Sequence, residues 1–268
     1  ITISKEETDY LIIPELFYQE VKETNYYEFL KKFFKHKKAK PSPIHRKILD
    51  LNPEHIITTN YDDLFDQVIE KEGLSYSVIK EDKDLPDSST PRLLIKMHGD
   101  FDKKNIVLKE SDYLSYQQNF PLIESFVRGI FASKVVLFIG YRFSDINLKI
   151  ITERVRHVLR ESYQPAFLFT TRSNEEKDPQ KIKYFEHRGI NILHYDEKIS
   201  GYLKELGEFE LLKNEKNKEG QYTLDFLKFI DLYNRSIERQ QNFHIIDKLF
   251  SSLKQFEELP SIPPKYLI

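Results

Sequence analysis

Six short apolar runs, set apart by stretches of helical period, constrain this chain more than any other feature. They lie at Ile56–Thr59, Tyr76–Ile79, Leu93–Met97, Val135–Ile139, Phe167–Thr170 and Ile190–His194. Most intervals between them read as amphipathic helix: Tyr61–Lys71, Asp112–Ser133, Asp145–Glu161 and Glu175–Arg188. A strand that is apolar at nearly every position has no face to give to water, so both of its faces must be covered. Strands that alternate with helices are joined by crossovers, which leave them parallel. The expected fold class is therefore α/β, a parallel sheet with helices on both faces.

The flanks read differently. Residues 7–36 are expected to be mainly helix, with Leu11, Ile12, Leu16, Phe17 and Val21 near helical spacing and a second apolar face from Asn25 to Phe34. Lys35 to Lys40 is read as a solvated helix end, with phosphate binding as the alternative. The breaker Pro41-Ser42-Pro43 follows, and then a short helix over Ile44–Leu51. After about residue 205 the chain turns polar and helix-rich, with a loop expected at Lys213–Gly220 and a linker at Leu259–Pro264. This predicts a main domain over residues 1–205 and a helical C-terminal extension over 206–268.

Composition excludes several function classes. A net charge of −2 supplies no overall basic excess for nucleic acid. No apolar run approaches the roughly 20 residues that cross a bilayer. The absence of cysteine excludes disulfides and thiolate-held zinc, and is compatible with a reducing cytoplasm.

Ligands of open parallel sheets bind beyond the carboxyl ends of the strands. Three of the runs end there in polar or glycine residues: Thr59-Asn60-Tyr61-Asp62, His98-Gly99-Asp100 and Gly140-Tyr141-Arg142. Each has a bland reading. Asn60 and Asp62 could cap the following helix, His98 could be a hydrogen-bonded structural residue, and Gly140 could permit a tight turn. Together they place an amide, an acid, an imidazole and a turn glycine on one rim. Histidine, with an ordinary pKa of roughly 6.5, suits general-base work near neutral pH.

At these residues the chain resembles the sirtuins. Thr58-Thr59-Asn60-Tyr61-Asp62 is similar to the sirtuin Thr-Gln-Asn-Ile-Asp motif, and Leu94 to Gly99 to the strand that carries the sirtuin catalytic histidine. Val135 to Asp145 is similar to a later strand and its loop in bacterial sirtuin-like domains, and Pro165–Thr170 and Ile190–Asp196 fit the closing strands. The resemblance covers residues 44–200 and implies a Rossmann-like sheet. Two departures narrow it. Protein deacylases of the family carry a zinc module with two cysteine pairs, which this chain cannot build. The branch it resembles most is the zinc-free, NAD-hydrolysing sirtuin-like domain of bacterial anti-phage defence systems. The family's opening strand and Gly-Ala-Gly-Ile-Ser type loop are also absent, since no glycine precedes Gly73. With Ile as first residue, the sequence is expected to begin after that loop.

The resemblance implies cleavage of the nicotinamide–ribose bond of NAD+, with NAD+ as substrate and no metal or other cofactor. Asn60 and His98 would be catalytic. Asn60 would position water or the ribose hydroxyls, and His98 would take a proton from a ribose hydroxyl or from the water. Asp62 would contact the carboxamide or stabilise positive charge. Thr59, Gly140, Tyr141, Ser144 and Asp196 would complete the dinucleotide site, and Arg142 would pair with phosphate or with Asp145. The implied setting is a cytoplasmic homo-oligomer that depletes NAD+ once a phage protein, sensor domain or associated helicase triggers it. A non-catalytic module that binds NAD or ADP-ribose is the alternative, and an oligomerisation scaffold is a third reading.

Overall fold

The structure is a computed structural model that describes residues 10–34, 39–141, 146–160, 166–171, 179–212 and 218–239. Within these the chain forms ten α-helices and six strands. It divides into two compact units, one drawn from Ile1–Pro41 and Glu54–Arg128, the other from Ser42–Pro53 and Gly129–Ile268.

The first unit is built on β1 (His55–Thr58), β2 (Ser77–Ile79) and β3 (Leu93–Lys96), hydrogen-bonded in the order β1-β3-β2. All pairs are parallel, with His55 and Ser77 both opposite Leu93 and Thr58 opposite Lys96. The central strand β3 is buried at all four residues, so both faces of the sheet are covered there. Helix α3 (Leu64–Glu72) supplies the crossover from β1 and ends on Gly73, whose φ of 64° is the left-handed C-cap that glycine adopts without strain.

Helix α1 (Ile12–Phe33) is two helical segments that meet at Lys22, where φ is 62°. The break falls where the first apolar face of the sequence gives way to the second. The second segment buries Tyr26 and Leu30 against Phe101 and Ile106, with Phe17, Tyr18, Val21 and Tyr61 packed around them. The long helix expected over Asp112–Ser133 is instead three: α4 (Glu110–Leu114), α5 (Tyr116–Asn119) and α6 (Pro121–Ser133). Pro121 explains the last break, because a proline has no N–H to give and fits the first position of a helix.

The second unit repeats the plan. Strands β4 (Val136–Ile139), β5 (Ala166–Thr170) and β6 (Ile190–His194) form a parallel sheet in the order β4-β5-β6, and the central strand is buried throughout. Around it are α2 (Pro43–Asp50), α7 (Ile146–Leu159), α8 (Pro179–Glu186), α9 (Lys198–Glu205) and α10 (Lys218–Arg239). Helix α10 begins within the loop expected at Lys213–Gly220. It lays Phe226 flat on Phe169 of β5, with ring centroids 3.9 Å apart and planes 7° from parallel. It also packs Phe229 against Ile199 and Leu203 of α9. Lys35–Lys38, within the basic run, and the linker at Leu259–Pro264 lie outside the described residues.

The parallel α/β class expected from the sequence is thus found, with a strand in each apolar run and α10 after residue 205, but among the described residues the strands form two three-stranded sheets in place of the single sheet expected. The fold's dependence on α10 is testable. Phe226 is 5% exposed, and Phe226→Ala is expected to cost about 3–5 kcal/mol. Urea unfolding of the intact protein, followed by circular dichroism, measures this. A loss under about 1 kcal/mol would show that α10 is not part of the core.

Candidate functional site

Parallel register decides which residues share the rim of the first sheet. Thr58 lies opposite Lys96, and the Met97 N–H continues the ladder by donating to the Thr58 carbonyl at 2.9 Å. Two residues further on, Asn60 and His98 therefore leave neighbouring strands at the same level. The Asn60 N–H donates to Thr58 Oγ1 at 3.1 Å, which turns the chain out of the sheet and leaves Asn60 exposed. Thr59 stands between them, half-buried. Asp62 does start the helix, since its Oδ1 accepts the Leu64 N–H at 3.2 Å. Asp63 accepts from Gln67 Nε2 at 2.8 Å. The first N–H of α3 is thus taken by Asp62, one residue before the N-cap Asp63, and Asn60 lies at the exposed end of the strand.

His98 is only 4% exposed. Its ring lies edge-on to Tyr113, with centroids 5.5 Å apart, and is tilted against Tyr61 at 6.3 Å. Tyr61 is held in turn by its hydroxyl, which donates to the Val107 carbonyl at 2.8 Å. The main chain is pinned on both sides of the histidine. Val107 N–H donates to the His98 carbonyl at 3.0 Å, and the Tyr116 hydroxyl to that of Met97 at 3.0 Å. Gly99 must be glycine twice over. Its φ is +77°, and a Cβ there would stand 2.2 Å from the Asn105 carbonyl oxygen. Tyr61 and Tyr113 thus wall the imidazole on two sides.

The remaining expected residues belong to the second unit. Gly140 ends β4 with φ of 65° and open space where a Cβ would be, so backbone conformation alone accounts for the glycine. Tyr141 stacks on Phe138 at 5.3 Å. Asp196 follows β6, and its Oδ1 accepts the Lys198 N–H at 2.9 Å, which opens α9. Register sets Ile139 opposite Phe169 and Phe169 opposite Leu193, so Gly140 and Asp196 both follow strand ends on one rim of that sheet, with β5 between. Arg142, Ser144 and Asp145 lie outside the described residues.

Sequence reasoning missed the charges beneath the first rim. Lys96 has no exposed surface, yet it sits in the central strand. Its Nζ donates to Asp100 Oδ2 at 2.6 Å and to the Asp62 carbonyl at 2.8 Å. Lys80, just past β2, reaches Asp100 Oδ2 at 3.1 Å and Asp66 Oδ1 at 3.3 Å. Asp100 Oδ1 accepts the Asp102 N–H at 2.8 Å. The one available signal was a lysine closing the otherwise apolar Leu93-Leu94-Ile95-Lys96, with an acid four residues on.

Burial by itself would raise the Asp100 pKa. The hydrogen bonds from Lys96 and the Asp102 N–H, with the charges of Lys96 and Lys80, outweigh it and hold the carboxyl at about 2, below the ordinary 3.8. A carboxyl depressed on folding stabilises the native state above its unfolded pKa and loses that stabilisation as pH falls through its folded one. Thermal unfolding should therefore show a loss on the order of 2 kcal/mol between about pH 4 and pH 2. Asp100→Asn should flatten that part of the profile, and an unchanged slope would remove Asp100 from the acid transition.

Among the described residues, no group of three or more His, Cys, Asp or Glu side chains is placed to share a metal ion. No helix among them is long and apolar enough to cross a membrane. The chain is 40% identical over 194 residues to defense-associated sirtuin 2 of Bacillus subtilis, covering 69% of this chain and 19% of that protein. It is 29% identical over 152 residues to the NAD(+) hydrolase ThsA of Enterococcus faecium, 55% of this chain and 32% of that one. It is 32% identical over 147 residues to the ThsA of Bacillus cereus strain MSX-D12, 53% and 30%. The chain thus spans about a fifth to a third of the length of these relatives. The pattern of the SIR2-like domain family matches residues 54–193, just over half of the chain and, but for the last residue of β6, the stretch that holds the six described strands, and the protein belongs to that family.

Proposed function

We propose that this chain is the NAD+-cleaving domain of a defence protein, an NAD+ nucleosidase that releases nicotinamide and ADP-ribose. The observation that carries the reading is the placement of Asn60 and His98 at one level on adjacent strand ends of a SIR2-like domain. The names of its relatives, a defence sirtuin and NAD(+) hydrolases, support it.

The chemistry needs few groups. Nicotinamide in NAD+ is a pyridinium, so it leaves as a neutral molecule and takes the bonding electron pair without a general acid. The ribose left behind has oxocarbenium character and is attacked by water at the same carbon, with one proton released. Exposed Asn60 offers a donor and an acceptor on one amide to hold that water or the ribose hydroxyls. His98 accepts the proton from the water or from a ribose hydroxyl. Its tyrosine walls keep the imidazole in one orientation, which matters because a misplacement of about 1 Å costs on the order of 10²-fold in rate. Thr59, Asp62, Gly140, Tyr141, Ser144 and Asp196 are assigned to substrate binding. The wider role is NAD+ depletion during abortive infection, by a cytoplasmic homo-oligomer that a phage protein, a sensor domain or a helicase switches on.

In the intact protein, Asn60→Ala and His98→Ala should each lower NAD+ turnover by about 10²-fold or more, followed by chromatography of NAD+ and nicotinamide. Wild-type turnover in either variant would refute the assignment. A second reading is a module that binds NAD or ADP-ribose without cleaving it. Calorimetric binding with no nicotinamide release from the intact protein would select that reading.

A further inference from the structure

We propose that Lys96 is a positioning residue for NAD+ cleavage, its buried ammonium tying the Asn60 strand end to the His98 strand end. The inference rests on the reading of Asn60 and His98 as the catalytic pair, and assigns the group that sets their spacing.

Lys96 touches neither side chain. It contacts the main-chain carbonyl of Asp62, two residues after Asn60, and the carboxylate of Asp100, two residues after His98. One ammonium thus spans both segments. The far side of each contact is anchored as well. The Asp100 N–H donates to Asn105 Oδ1 at 2.8 Å, and Asn105 Nδ2 donates to the Lys80 carbonyl at 2.8 Å. Asp66 of α3 stands 3.8 Å from Lys96 Nζ, on the helix that follows Asp62. The ends of all three strands of the first sheet therefore meet on two lysines and two aspartates.

An aliphatic residue would fill this central-strand position without the desolvation cost that a buried ammonium carries, and packed apolar replacements of buried ion pairs are often neutral or stabilising. What an aliphatic side chain cannot do is donate to the Asp62 carbonyl while holding the Asp100 carboxylate. Loss of that link lets the two segments drift apart without removing any group that touches NAD+. The predicted signature is a fall in kcat with KM held, because alignment at the reacting carbon suffers while binding along the dinucleotide does not.

The test is steady-state kinetics on the intact protein carrying Lys96→Met together with Asp100→Asn, a pair that leaves no uncompensated charge between them. With folding verified by circular dichroism, kcat is expected to fall about 10- to 100-fold while KM for NAD+ stays within about twofold. Wild-type kcat in the folded variant, or a change confined to KM or to thermal stability, overturns the proposal. Should the double variant not fold, Lys96→Met alone removes the link to the Asp62 carbonyl and leaves Asp100 paired with Lys80. A smaller fall in kcat at constant KM supports the proposal, and wild-type kcat again overturns it. Asn60→Ala and His98→Ala measured alongside separate the two failures. If they retain wild-type turnover, the cleavage reading fails; if they abolish it while the Lys96 variant is wild type, only the positioning role fails.

Discussion

A lysine with no exposed surface can stay in a central strand only if its ammonium is fully compensated, and Lys96 finds that compensation at the carboxyl rim of the first sheet. Asp100 supplies the opposite charge and the Asp62 carbonyl a second acceptor, while Lys80 and Asp66 neutralise the group as a whole. Much else follows from this. Asp100 must turn back beneath the strand that carries Lys96, which forces the sharp bend at Gly99 and brings Asn105 against it. His98 lies in that turn, closed by the Gly99 N–H on the Lys96 carbonyl, and its own carbonyl accepts the Val107 N–H.

The second unit buries a carboxylate by other means. Asp225 of α10 has no exposed surface. It accepts from Ser200 Oγ at 2.6 Å, the Tyr195 hydroxyl at 3.1 Å and Gln221 Nε2 at 2.8 Å. Burial pushes the Tyr195 phenol well above its ordinary pKa, and it stays a donor across the physiological range. Neutral donors suffice here because the network joins helices to a strand end, where each hydroxyl can rotate to suit. At the first rim a rigid strand must be tied to a loop carbonyl and a carboxylate at once. A three-donor ammonium does so through one atom.

The site itself divides along similar lines. Asn60 is exposed and lightly held, whereas His98 is enclosed by Tyr61 and Tyr113. An exposed amide can follow a ligand as it enters, and a walled imidazole cannot. That contrast suits the roles proposed for them, a water-positioning group paired with a base. The helix-start reading of Thr59-Asn60-Tyr61-Asp62 holds for Asp62 alone, which accepts the first N–H of α3, so one turn serves both the helix and the rim.

Much of this was legible in the residues, because the signals involved are local. Six apolar runs with helices between them determined a parallel α/β fold, and strand ends rich in Asn, His and Gly marked the carboxyl rim as the polar one. That Asn60 and His98 follow neighbouring strand ends was legible because two short motifs suffice to place them. The break in α1 at Lys22 and the division of Asp112–Ser133 into three helices were not legible in hydrophobic period, which continues across a change of backbone direction. The pairing of Lys96 with Asp62, 34 residues away, was not legible either. A lysine at the end of an apolar strand reads as a solvated terminus until the partners that pay its desolvation are known. Those partners come from the loop after β1, from α3 and from the turn after β3, and only the folded chain brings them to one point.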